Sequence, residues 1–185
     1  MIELAQAVRL LIIDAFAGQS LAPVVYMANQ QAPKLEADFI TIFLASGKDI
    51  GTPHSFFTTA GNDTNENVIR FEEWRISINC FSRAPGVGLK MARRISAYFQ
   101  SQRGALLATE KKIGFTSVSE ERDLTALVSG VWESRGQIDA VFNCTTADAF
   151  AVGGVDSVTI NGILTALGGA ETNPPASLTI NTIPN

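Results

Sequence analysis

Apolar residues recur at three- and four-residue spacing over residues 3–17, where Leu4, Val8, Leu11, Ile12 and Ala15 form one stripe and Glu3, Gln6 and Arg9 lie off it. That period predicts an amphipathic helix, with Gly18 as its stop. Two runs with strand character follow, at 23–28 and 39–45. The second, Phe39-Ile40-Thr41-Ile42-Phe43-Leu44-Ala45, is apolar in both phases, which predicts a strand covered on two sides. The polar segment between them, 29–38 with Pro33, reads as a loop. From 46 to 67 the pattern breaks into Gly47, Gly51, Pro53, Gly61 and a run of Asn and Asp. Loops of that length are commonly functional, and the embedded run 54–59 fits a short strand or one arm of a hairpin.

The longest strand signal covers 68–81. Ile69 and Phe71 alternate in one phase and Trp74, Ile76, Ile78 and Cys80 in the other, so a bulge or bend is expected near Glu72-Glu73. Pro85 and Gly86 turn the chain into a second helix. Leu89, Ala92, Ile95 (or Met91), Phe99 and Gln102 trace its stripe, Lys90, Arg93 and Arg94 face outward, and Gly104 ends it. Further strands are expected at 112–118 and 136–144, separated by the polar segment 120–124. A last strand at 155–163 closes the packed region. Trp74, Ile76, Ile78, Phe99 and Phe142 are the expected core.

After Leu164 the composition turns to Thr, Asn, Gly, Pro and Ala, which cannot bury a core of its own. Leu178-Thr179-Ile180-Asn181 alternates like a strand that adds to an open sheet edge. A terminus without fixed structure fits the same composition. The element order is that of an α+β fold. It predicts a mixed, mainly antiparallel sheet packed with two principal helices, a long hairpin or loop insertion, one domain over 1–164, and a C-terminal arm over 165–185.

Composition narrows the function. With 185 residues, 46% hydrophobic and 17% charged, the chain suits one folded domain with a real core. A net charge of −4 leaves no basic footprint for gripping nucleic acid, but suits a conduit through which DNA slides. Cys80 and Cys144 each lie in a strand-like run and read as buried free thiols; a bridge would need neighbouring strands. Glu3, Arg9 and Asp14 interrupt the first residues, unlike an export signal, and no run reaches about 18 apolar residues. The expected compartment is therefore the cytoplasm, with no membrane partner.

Candidate chemistry is sparse. His54 is the single histidine and stands in a Gly/Pro-rich stretch without a nucleophile elbow. One His and two Cys fall short of a zinc set. Ala84-Pro85-Gly86-Val87-Gly88-Leu89-Lys90 suggests a phosphate loop but lacks its length and the following Ser or Thr. Glu72-Glu73 and Glu120-Glu121 are adjacent pairs, and neighbours on a strand point to opposite faces. No catalytic residue, cofactor or metal is expected.

Several segments carry a family resemblance. Ile76-Ser77-Ile78-Asn79-Cys80-Phe81 leads straight into the helix from Gly88. Ile113-Gly114-Phe115 is followed by Glu121-Arg122-Asp123-Leu124, then by Arg135-Gly136-Gln137-Ile138-Asp139-Ala140-Val141-Phe142. Val155-Asp156-Ser157-Val158-Thr159-Ile160-Asn161-Gly162 comes last. Over 3–164 this resembles the neck and tail-terminator proteins of long-tailed phages, including its late Arg-x-Gln-x-Asp strand. Ser82-Arg83, where a glycine often follows the aromatic, and the long tail depart from the pattern. The resemblance implies a non-enzymatic virion protein, assembled in the host cytoplasm as a homo-oligomeric ring, commonly a hexamer. It would cap the tail tube and join it to the head–tail connector or adaptor proteins, with a sheath as a further candidate partner and double-stranded DNA only passing through. His54, Phe56, Phe57, Leu178, Ile180 and Ile183 are the expected contact residues with neighbouring chains. The residues alone leave open another head–tail adaptor or tail-tube component, a small magnesium-dependent nuclease, or a ligand-binding domain with a buried pocket.

Overall fold

The first stripe is a helix, α1 (Ile2–Ala15), and its Leu4, Val8, Leu11, Ile12 and Ala15 are all buried. The computed structural model describes residues 2–28, 37–60, 63–128, 130–152, 158–161 and 177–180. Helix α2 (Val87–Phe99) follows the Pro85-Gly86 turn, with Met91, Ala92, Ile95 and Phe99 inward and Lys90, Arg93 and Arg94 exposed. Gly104 does not end it. The chain breaks after Phe99, and a third helix, α3 (Gln102–Glu110), carries Gly104 in its first turn and leaves Gln102 exposed. Ser101 caps α3: its hydroxyl accepts from the Gly104 amide at 3.1 Å and donates to the Tyr98 carbonyl at 2.6 Å. A Cβ on Gly104 would stand 2.2 Å from that carbonyl oxygen, so the glycine marks a close approach, not a helix stop.

Eight strands form one sheet: β1 (Val24–Met27), β2 (Phe39–Asp49), β3 (His54–Ala60), β4 (Asp63–Ser82), β5 (Ile113–Val118), β6 (Arg122–Asp123), β7 (Ala126–Val128) and β8 (Val131–Val152). The order is β1-β2-β4-β8-β5, with β3 on β4, and β6 and β7 on β8. β1 is parallel to β2, whereas β2 and β3 run antiparallel to β4, and β5, β6 and β7 antiparallel to β8. Ile40, Ile42, Ile76, Ile78, Cys80, Ile138, Ala140 and Phe142 alternate onto one face and are fully buried with the helices. Each large apolar side chain removed from water there contributes about 1.5–3 kcal/mol. Phe99, Phe115 and Phe142 tie α2 to the sheet, with ring centroids 5.3–5.7 Å apart.

Several expectations change. β2 is not covered on both sides, since Phe43 on its outer face is 42% exposed. The bulge lies in β2, where Leu44 pairs with Ile76 and Ser46 with Arg75, leaving Ala45 extra. β4 keeps one alternation past Glu72-Glu73, and Phe71 lies exposed on its outer face. Trp74 is half-buried and lies across Gly47, whose Cβ would fall 2.6 Å from the indole. The stretch 46–67 is largely strand: β2 continues to Asp49, and β3 pairs with β4 from His54–Ile69 to Ala60–Asp63.

Near the C-terminus, β9 (Val158–Asn161) does not close the large sheet but pairs antiparallel with β10 (Ser177–Ile180). The rest of the expected strand at 155–163 and residues 29–36 of the expected loop lie outside the described residues. Two units result, Met1–Pro53 with Arg70–Thr146, and His54–Ile69 with Ala147–Asn185. Among the described residues the buried core belongs to the first.

Candidate assembly surface

Burial of the helices' inner sides leaves polar partners at their margins. Asp14 of α1 accepts two hydrogen bonds from the Arg103 guanidinium of α3, both at 2.7 Å, and one from the Tyr98 hydroxyl of α2. One carboxylate therefore ties three helices together. Arg103, then Tyr98, holds the Asp14 carboxyl below its ordinary range, and burial followed by Asp14 pushes the Tyr98 phenol up to about 12. The Asp14 contribution to stability is present above the ordinary carboxylate range and is lost as pH falls through the lowered folded value. The Tyr98 contribution is whole below about pH 10 and lost as pH rises through the folded value near 12. Asp14→Asn should lower Tm by roughly 2–4 °C at pH 7, with the gap to wild type closing below about pH 3. Thermal melts against pH test this, and parallel curves would remove the clamp.

The outer sheet face is a side-chain ladder from β2 to β6. Phe39 of β2 stacks on Phe81 of β4 with centroids 4.6 Å apart, and the Arg135 guanidinium of β8 sits 5.1 Å from the Phe81 ring centre. Arg135 also donates to Asn79 Oδ1 at 2.8 Å, Gln137 donates to Ser77 Oγ at 2.8 Å, and Arg122 of β6 donates to Asp139 at 2.5 Å. Each polar side chain of the Arg-x-Gln-x-Asp run thus has a partner within the chain, although Arg135 Nε is buried without one. Its glycine instead admits a helix. Gly136 meets Gly88 at the start of α2, and buried Ser134 accepts from the Gly88 amide at 3.1 Å. That hydrogen bond satisfies one of the helix's first amides, so the phosphate-loop look-alike is a helix docked on a strand.

The expected contact residues fall in the second unit. His54, Phe56 and Phe57 lie on β3, all exposed, with Phe57 at 63% and the His54 and Phe56 ring centres 6.2 Å apart. Phe56 pairs with Asn67 and Phe57 with Glu66, so neither aromatic has an apolar partner directly across the hairpin. Leu178 and Ile180 lie on β10, opposite Ile160 and Val158. Ile183 lies outside the described residues. A second exposed apolar group, not singled out in the sequence, sits on the β7–β8 turn, where Leu127 pairs with Trp132 and Val128 with Val131; Trp132 is 64% exposed. The signal was there in Ala126-Leu127-Val128 and Val131-Trp132, either side of Gly130.

Glu72 and Glu73 do not converge on one site. Glu72 accepts from Trp74 Nε1 at 2.7 Å and Thr146 Oγ1 at 2.8 Å, while Glu73 pairs with Lys48 at 2.7 Å. The Trp74 bond, then Thr146, holds the Glu72 carboxyl low against the opposing effect of burial. A cleft of about 140 Å³ beside it, lined by Glu3, Leu4, Lys112, Cys144 and Thr146, is below the size of ordinary ligand pockets. Cys80 and Cys144 are both free, and burial pushes the Cys80 thiol up to about 12, away from thiolate chemistry. Among the described residues no group of three His, Cys, Asp or Glu side chains is placed to hold a metal ion.

The family model for the phage neck terminator protein matches residues 3–170. No curated protein matches the chain. Among solved structures, a chain of the virion of a native gene transfer agent particle is 12% identical, with 74% of this chain and 92% of that chain covered, at a TM-score of 0.26. The chain belongs to the phage neck terminator proteins, structural components of the virion that meet other proteins of the tail and neck.

Proposed function

We propose that the chain is the subunit of a homo-oligomeric ring, a hexamer, which ends the phage tail tube and joins it to the head–tail connector without catalysing a reaction. The observation that carries this reading, beside family membership, is the exposure of Phe56 and Phe57, one on each face of a strand whose facing residues across the hairpin are polar. Large aromatics exposed in this way are explained by a partner surface. A ring subunit presents such a surface to the next copy, so one contact type closes the assembly. In this reading residues 1–164 are the ring domain, and 165–185, with Leu178, Ile180 and Ile183, form an arm that reaches a neighbouring protein. DNA passes through the lumen, which an acidic chain binds weakly.

Mass photometry and negative-stain images of the purified protein test it. Closed six-membered rings are expected, and a chain ended after Leu164 should keep its fold and its thermal transition. A strict monomer at every concentration, even beside tail-tube ends, would turn the assignment toward an adaptor. An unfolded truncation would remove the arm.

A further inference from the structure

Charge is divided unevenly between the two units. The segments 54–69 and 147–185 hold Asp63, Glu66, Asp148, Asp156 and Glu171 but no lysine or arginine, so of the net −4 that unit carries −5 and the rest +1. On the first unit, α2 has no acidic residue, and Lys90, Arg93 and Arg94 line its exposed side. Arg94 is already engaged with the Ala15 carbonyl at 2.6 Å and the Phe16 ring, which leaves Lys90 and Arg93 as the outward cations. The helical layer also exposes Leu10 and Ile13 of α1 and Leu106 of α3, the last at 66%. Asp14 follows Leu10 by one turn and Arg103 precedes Leu106 by one, so their ion pair brings these apolar positions toward one margin. One chain thus carries an acidic hairpin with two exposed phenylalanines and a helical layer with the outward cations of α2 and exposed leucine and isoleucine on α1 and α3.

We propose that this helical face, centred on Lys90 and Arg93 of α2, receives the β3–β4 hairpin of a second copy. The inference rests on the ring reading and names its contact. Two different surfaces of opposite charge make a head-to-tail interface, which closes into a ring when the rotation allows. Phe56 and Phe57 point to opposite faces of β3, so the one turned toward the helices supplies the apolar anchor, and the charges set register and exclude the wrong pairings, including hairpin on hairpin.

Two reversed proteins test it, one with Lys90→Glu and Arg93→Glu on the helix, the other with Asp63→Lys and Glu66→Lys on the hairpin. Alone, each faces like charge with like and should assemble at least about 100-fold more weakly than wild type. Mixed in equal amounts they match at every contact of an alternating ring, so rings should return, with an even number of subunits. Wild-type rings should loosen as salt rises. If either reversed protein does not fold, Lys90→Ala with Arg93→Ala should weaken assembly at low salt and converge on wild type at high salt. Rings that survive both reversals overturn this contact while leaving the ring intact. So does a folded pair that mixing fails to restore, or a helix variant that keeps its rings and loses only retention of double-stranded DNA. A wild-type protein that never forms rings removes the ring reading and this contact together.

Discussion

Replacing Ile78 by aspartate should abolish cooperative folding. Ile78 is fully buried in β4, opposite Ile42 of β2, among neighbours that include Ile76, Cys80 and Ile138. Among the described residues the buried polar side chains are Ser77, Asn79, Ser82, Ser96 and Ser134, none of them a cation that could pair with a carboxylate. An unpaired charge there costs several kcal/mol even after relaxation, and the loss of the isoleucine adds about 2 kcal/mol more. Together these approach the whole stability of a domain, about 5–15 kcal/mol. The variant should enter the insoluble fraction and show no thermal transition, whereas Ile78→Val should cost only about 0.5–1.5 kcal/mol. A soluble Ile78→Asp protein with a sharp transition would put β4 in the opposite phase and invalidate the core as described.

Gly136→Ala comes second, although it adds a single methyl group. The added carbon would stand 2.4 Å from the Gly88 carbonyl oxygen and 2.8 Å from the Leu89 Cα. Both are backbone atoms, so no side chain can swing aside; α2 must lift from β8 or the strand must bend. Lifting α2 also stretches the Gly88 amide from Ser134. The cost should be about 3 kcal/mol, at the upper end for overpacking, and visible as a shifted midpoint in urea at unchanged slope. Gly114→Ala is the control, because its Cβ would meet Asn143 at an ordinary 3.8 Å. That change should stay within about 1 kcal/mol. Equal midpoints for the two variants would mean that helix and strand do not touch as described.

Much of this was legible before any coordinates. The stripe from Leu4 to Ala15 and the alternation from Trp74 to Cys80 report burial directly, because a helix or strand with one buried face repeats with its own period. The family resemblance, read on segments spread over most of the chain, held. The errors have a common cause, which is that local sequence does not record what arrives from elsewhere. Gly104 looked like a helix end because glycine usually is one, while its actual constraint is the Tyr98 carbonyl. In 46–67 the hairpin arm at 54–59 was legible, but Asn, Asp and Gly on either side disfavour strands and hid how far pairing with β4 extends. On the candidate surface, Phe56 and Phe57 stood out as aromatics in a polar stretch. The Asp14–Arg103 clamp did not, since its partners lie 89 residues apart and each alone is an ordinary surface charge.

The strand order also governs when the sheet can form. β4 sits between β2, which precedes it in the chain, and β8, whose Gln137 reaches Ser77 across 60 positions of sequence. Until residue 131 has left the ribosome, β4 has one open edge and its inner isoleucines have only part of their cover. Closing so long a loop comes before the contacts that reward it, so folding should take milliseconds to seconds, late in synthesis. During that interval the open edge is a template for other nascent chains. At the high expression of a virion protein, solubility would then depend on how quickly β8 arrives, and slower translation between residues 82 and 131 should lower the soluble yield of a protein whose finished stability is unchanged.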